Sequence, residues 1–315
     1  MTILTRKKAV LVKIESVYGT DSVPVGATDA VLVKSVVLTD PLMQQTADRE
    51  IVQPFLGAMR PLVAGAFAKL TIELEVAGFG TAGPATPTPG YDALLRACAL
   101  ASTVTAGTNV IYTPVSSAFS SVTVYTYQDG TLHKIVGCFG DLETGLDDKG
   151  VPTYKITLTG IYVPVTDVAF PTVSVGGYQV PLIPCADNTT PVSIFGYAGT
   201  FKSFSLKFGN QVEMREYPGG VKRVLITDRK SSGSIEMEHT LVGTNNPLAQ
   251  ILTATPGPIA ITHGTVVGNK VKFAVGQAVP MKPKFTDDQG IVNIGFDFTA
   301  PPSSASNDDF SITVS

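Results

Sequence analysis

Apolar and polar positions alternate along most of this chain. In Tyr154-Lys155-Ile156-Thr157-Leu158-Thr159 the alternation is strict, which sends successive side chains to opposite faces of a strand. Val122-Thr123-Val124-Tyr125-Thr126-Tyr127 is a run of β-branched and aromatic residues, and Gly and Pro punctuate the gaps between such runs. Helical spacing breaks through at two places. Asn246-Pro247 reads as an N-cap and first helical residue, with Leu248, Ile251 and Leu252 forming an apolar stripe. Tyr91, Leu94 and Leu95 repeat that spacing, and Cys98 continues it. The pattern predicts an all-β fold with one short helix in each half, each helix covering an open sheet face and burying core.

The halves resemble one another. Val33-Lys34-Ser35-Val36-Val37-Leu38 corresponds to Phe201-Lys202-Ser203-Phe204-Ser205-Leu206, an offset of 168 (34 to 202). Thr71-Ile72-Glu73-Leu74-Glu75 corresponds to Ser234-Ile235-Glu236-Met237-Glu238 at an offset of 163. Leu94-Leu95 corresponds to Ile251-Leu252 at 157, and Asp147-Asp148-Lys149-Gly150 to Asp287-Asp288-Gln289-Gly290 at 140. Four matches in one order with a steadily shrinking offset point to a tandem duplication. The shrinkage fits a second copy that lacks the Pro/Gly loop at 81–90 and has shorter connections. The expected organisation is an N-terminal arm and first strand (1–32), copy 1 (33–166) and a linker (167–194) containing Pro171, Gly176, Gly177, Pro181 and Pro184. Copy 2 (195–300) and a C-terminal arm (301–315) follow.

Composition sharpens this. Charged residues are 16% and hydrophobic residues 44% of the chain, an apolar balance that fits either a large β core alone or such a core with a wide self-association surface. No run approaches the roughly 18 apolar residues of a spanning helix, and the start has no apolar segment of the kind a secretory signal carries. Net charge is −3, which argues against tight nucleic-acid binding through clustered cations. Arg6-Lys7-Lys8 is a short basic cluster expected at a solvated end. Three distant cysteines, Cys98, Cys138 and Cys185, form neither a zinc spacing nor a disulfide framework, which suits a reducing cytoplasm.

The chemistry of a catalyst is not legible. His133, His239 and His263 are scattered without metal-site spacing, and the chain has no nucleophile elbow, phosphate loop or dinucleotide fingerprint. Glu73 and Glu75 share one face of a strand at about 7 Å separation, but their recurrence as Glu236 and Glu238 fits a repeated surface better than an acid–base pair. The chain is expected to have no enzyme activity, no metal and no cofactor. That repeated acidic face reads either as an ordinary solvent face or as a channel wall.

One segment resembles a known family. Lys13-Ile14-Glu15-Ser16-Val17-Tyr18-Gly19-Thr20-Asp21, then Ala30-Val31-Leu32-Val33, then Ala47-Asp48-Arg49-Glu50 and Pro54-Phe55-Leu56-Gly57, is similar to the tail tube (major tail) proteins of long-tailed, non-contractile bacteriophages over roughly residues 10–75. The resemblance implies two tandem tail-tube-like β-sandwich or barrel domains with a flanking helix. Six such domains would close a continuous β-barrel around a lumen, and rings would stack through a long loop and terminal arms. Two domains per chain then favour a homotrimer with pseudo-sixfold symmetry over the hexamer that other members of the family form. Glu73, Glu75, Glu236 and Glu238 are the expected lumen-facing residues, a mildly acidic wall that lets phage DNA pass during ejection without specific binding.

The stretch Pro41–Ala66, with Met43, Arg49, Phe55, Leu56 and Met59, is too long and apolar for an idle loop and is expected to dock on a neighbouring subunit or ring. Expected partners are further copies of the chain, a tape-measure protein and a tail terminator, with no membrane. The expected location is the virion tail, assembled in the host cytoplasm. The main alternative is a capsid decoration protein or tail-tip adhesin with two β-domains. A carbohydrate-binding module fits less well, because the chain has no tryptophan for an aromatic platform.

Overall fold

A computed structural model describes residues 3–80, 89–175 and 178–315. Most of the Pro/Gly loop at 81–90 lies outside the described residues, as do Gly176 and Gly177 of the linker. In chain order the first half contains β1 (Lys8–Ile14), β2 (Ala30–Val31), β3 (Ser35–Ala47), β4 (Leu62–Glu75), α1 (Asp92–Ala97), β5 (Leu100–Thr105), β6 (Asn109–Pro114), β7 (Val122–Gln128), β8 (Thr131–Asp147), β9 (Thr153–Tyr162) and β10 (Thr166–Asp167). The second contains β11 (Val192–Ile194), β12 (Phe201–Lys207), β13 (Asn210–Arg215), β14 (Arg223–Arg229), β15 (Ser232–Glu238), α2 (Pro247–Thr253), β16 (Gly257–His263), β17 (Val271–Asp288), β18 (Ile291–Thr299) and β19 (Ser311–Val314). The fold is all-β with two short helices, as the periodicity predicts.

The alternation decides which face is buried. Leu70, Ile72 and Leu74 of β4 are almost wholly buried while Thr71, Glu73 and Glu75 between them are half-exposed, and Ile235 and Met237 of β15 repeat this beside Glu236. Strand β8 joins the halves. Its first part pairs with β7, from Gln128↔Thr131 to Val122↔Cys138, and β7 pairs onward with β1. Its last five residues pair with β12, from Glu143↔Lys207 to Asp147↔Ser203. Bulges in the β7 and β9 ladders fall around Gly137, whose φ of +62° a side chain would strain. The same edge of β8 thus serves two different strands in succession.

An antiparallel run results, ordered β3–β4–β9–β8–β12–β15–β18–β17. Its second four strands follow the chain order of its first four. The N-terminal part of β17 leaves this run to pair with β16 and β19.

Each half lends an element to the other. Strand β6 pairs with β19, so the β5–β6 hairpin extends the second half's outer sheet. In return the β13–β14 hairpin lays Val212, Met214, Val224 and Ile226 over Phe67, Phe139 and Ile161 of the first half. One apolar core runs through both halves, with Tyr154 6.2 Å from Phe273 and Phe204 6.2 Å from Phe298 between ring centroids. Within residues 301–315, read from the sequence as a C-terminal arm, β19 lies between β17 and β6, with Ile312 and Val314 buried. Asp309, also buried, pairs with Arg229 at 3.0 Å and anchors the segment.

The Lys13–Asp21 segment is a polar clasp. The buried Glu15 carboxylate accepts from Ser121 Oγ (2.7 Å), Thr123 Oγ1 (2.8 Å), Gly137 N (2.7 Å) and Gly19 N (2.8 Å). Tyr18 stacks on Phe139 at 5.9 Å, and its hydroxyl accepts from Val224 N at 2.5 Å, tying β8 to the second half's hairpin. Asp21 accepts from Tyr125 Oη and Lys134 Nζ. Burial pushes its carboxyl up, but these bonds and the Val23 N–H outweigh it and hold it below the usual carboxylate range. Glu15→Ala leaves buried donors without an acceptor, each costing about 1–3 kcal/mol, so the variant should unfold at clearly lower urea concentration with an unchanged slope. An unaltered midpoint would remove the clasp from the stability of the fold.

Candidate functional site

The long antiparallel run presents one polar face, and strand register places its residues in rows. Ser35, Glu73, Lys155, Glu143 and Lys207 are successive Cα partners across β3, β4, β9, β8 and β12. Asp147, Ser203, Glu236, Gly295 and Lys284 are successive partners across β8, β12, β15, β18 and β17. Glu73, Glu75, Glu236 and Glu238 therefore lie on one face, together with residues that the sequence did not single out.

That face is charge-laced instead of simply acidic. Glu143 lies 3.0 Å from Lys207 and 3.7 Å from Lys155. Glu73 accepts from Ser35 Oγ at 3.2 Å, and Glu238 from Thr200 Oγ1 at 2.9 Å. Glu236 accepts from Thr286 Oγ1 at 2.6 Å and lies 3.7 Å from Lys202, which lies 3.2 Å from Asp288. The Thr286 hydroxyl, chiefly, holds the Glu236 carboxyl below its usual range; the bond to Asp288 raises the Lys202 ammonium. Carboxylates prevail, but each patch carries lysines in reach. The lysines come from neighbouring strands, so the expectation of an acidic wall missed them for want of register.

The ends of this run are open. Among the described residues β3 pairs only with β4, and residues 284–288 of β17 pair only with β18. Phe285 sits at that second edge 53% exposed, its ring 5.3 Å from His239. Beyond the sheet, β3 and β4 continue as a two-stranded arm. Met43 packs at its base against the Phe67–Phe139 cluster, whereas Arg49, Phe55 and Leu56 are exposed and Met59 half-exposed near its tip. Leu56 is fully in solvent at 103% relative exposure.

The two helices differ in depth, although Leu248 and Ile251 of α2 do pack, partly buried, against the core. Leu94 and Leu95 of α1 are fully buried, but Leu252 of α2 is 87% exposed and only Pro247 of that helix is fully buried. Helix α1 is packed by β1, β5, β7 and β8, whereas α2 packs against β17. Asn246 does cap α2 through a bond from Ala249 N. His263 bonds Thr189 Oγ1 and Leu182 O at 3.0 Å each, fastening the linker to β16, and burial pushes its pKa down. Cys98 and Cys138 are buried thiols and Cys185 is exposed. Among the described residues no helix is long and apolar enough to cross a membrane.

Because Glu236 has a lower pKa folded than unfolded, its contribution to stability is present above about pH 4.3. It is lost as the pH falls through the folded value. Glu236→Gln should therefore flatten the acid side of the stability–pH profile; parallel profiles for variant and parent would contradict the bonding described.

No curated protein matches the chain. A family model described as phage tail tube protein matches residues 5–300, nearly the whole length. With the all-β sheet, the open edges and this match in place, the chain belongs to the phage tail tube protein family, structural components of the virion tail.

Proposed function

We propose that the chain polymerises into stacked rings that form the tail tube and guide DNA during ejection, each chain supplying two tube units. The observation carrying this is the eight-strand run in which β12–β15–β18–β17 continues β3–β4–β9–β8 edge to edge. If one ring needs six four-stranded units, three chains close it, a trimer with pseudo-sixfold symmetry. Closure satisfies the backbone groups that open edges leave unpaired.

In this reading the polar face with Glu73, Glu75, Glu236 and Glu238 lines the lumen. Excess carboxylate keeps phosphates from adhering, and interspersed lysines moderate the repulsion. The β3–β4 arm, through Met43, Arg49, Phe55, Leu56 and Met59, contacts the next subunit or ring. A tape-measure protein would occupy the lumen during assembly and a terminator would cap the last ring, both inside the host cytoplasm. No step of this role requires catalysis or a cofactor.

Negative-stain microscopy of the purified chain should show striated tubes, whereas discrete oligomers that never elongate would favour the decoration-protein or adhesin alternative. Deleting residues 44–60 should abolish tubes while leaving a folded protomer, because these residues are nearly all solvent-facing. Intact tubes from the deletion would refute a docking role for the arm.

A further inference from the structure

The junction between the halves is a template for the junction between chains. Resting on the ring reading above, we propose that residues 284–288 of β17 pair antiparallel with residues 35–39 of β3 in a second copy, in one defined register. The register follows from positions that correspond through the ladders. Ser35 pairs with Glu73 as Ser203 pairs with Glu236. Glu73 pairs with Lys155 as Glu236 pairs with Gly295, and Lys155 pairs with Glu143 as Gly295 pairs with Lys284. Glu143 therefore corresponds to Lys284, an offset of 141 (143 to 284), one more than the turn sequences suggest, because the β17–β18 turn is one residue shorter. The internal pairs Glu143↔Lys207 through Asp147↔Ser203 then translate into Lys284↔Thr39, Phe285↔Leu38, Thr286↔Val37, Asp287↔Val36 and Asp288↔Ser35 between chains.

Three observations favour this occupant. First, side chains sealed at the internal junction have open counterparts at the outer edges: Thr144 is 4% exposed and its counterpart Phe285 53%, while Leu206 is fully buried and its counterpart Leu38 only partly. The proposed register puts Phe285 against Leu38 on the core side. Second, Pro283 and Pro41 stand just beyond one end of the proposed ladder, and proline cannot donate to a ladder. Pairing would stop there, after five residue pairs, the length of the internal junction.

Third, the internal junction carries the stagger of a closed barrel. The row starting at Ser35 reaches Lys207, four residues beyond the corresponding Ser203, after four strands. One residue of stagger per strand, with about 3.3 Å rise and about 4.8 Å between strands, tilts strands by about 35°, within reach of closed barrels. Six such units give a backbone-to-backbone diameter of about 45 Å, a water-filled passage wide enough for a DNA duplex.

The test is cysteine cross-linking in assembled tubes, with Cys185→Ser removing the exposed thiol. Val37→Cys with Thr286→Cys should oxidise to covalent multimers that stop at three chains on a non-reducing gel. Ser35→Cys with Thr286→Cys, slipped by two residues, should remain monomeric because disulfides do not span that distance. Gly145→Cys with Ser205→Cys, the equivalent internal pair, should close within one chain and shows that the geometry supports oxidation. Tubes that cross-link through the slipped pair, or that fail to link while the internal pair closes, overturn the register but leave the tube role intact. A chain that stays monomeric and unlinked at every concentration overturns both.

Discussion

Every open β-sheet ends in two rows of backbone donors and acceptors that need partners, and this constraint organises the molecule. Inside the chain it is met at β8, whose one edge takes β7 and then, past the Gly137 bulge, β12. The first half's sheet thereby passes into the second without an intervening edge. Among the described residues, what remains open along this run is the outer side of β3 and the last part of β17. A solitary protein normally blunts such edges with charge, proline or covering loops. Here proline stands only at one end of each free stretch, and an aromatic ring is left uncovered between lysine and threonine. In the proposed ring these edges receive another strand.

A repeating wall also requires units that meet at a fixed angle. The halves cannot rock freely because each contributes to the other's packing: β6 joins β19, and the β13–β14 hairpin covers the Phe67–Phe139 cluster. The Glu15 clasp adds directional bonds at the point where β8 bends, and Tyr18 reaches from it to Val224. The four-residue stagger between halves is held by this interlocking, so the curvature of a larger assembly would be set within each protomer. In the proposed tube, function lies in geometry repeated faithfully, and the polar face sets the electrostatic character of the lumen.

Much of this was legible in the sequence and some was not, for identifiable reasons. Alternation in Thr71–Glu75 and Ser234–Glu238 assigned the correct buried faces because a half-buried strand has a period of two. The fold class followed, as did the family, from the segment beginning at Lys13. The role of that segment did not: nothing local marks Glu15 for burial, and Ser121, Thr123 and Gly137 arrive from distant positions to bond it. Lysines on the acidic face were invisible for the same reason, since Lys155 meets Glu143 only through register. The β13–β14 hairpin alternates plainly at Val212, Met214, Val224 and Ile226, yet nothing local says that it packs on the other half. Leu252 misled because helical spacing records an apolar stripe but not whether another element covers it.

The most direct measurement is a helical reconstruction of the assembled tube at a resolution that separates strands. Three chains per ring, an inner wall of 24 strands tilted by about 35°, and the Glu73 and Glu236 rows facing the lumen are the predicted result. Six chains per ring with true sixfold symmetry, or an inner wall built from other strands with these glutamates on the outside, would contradict the account.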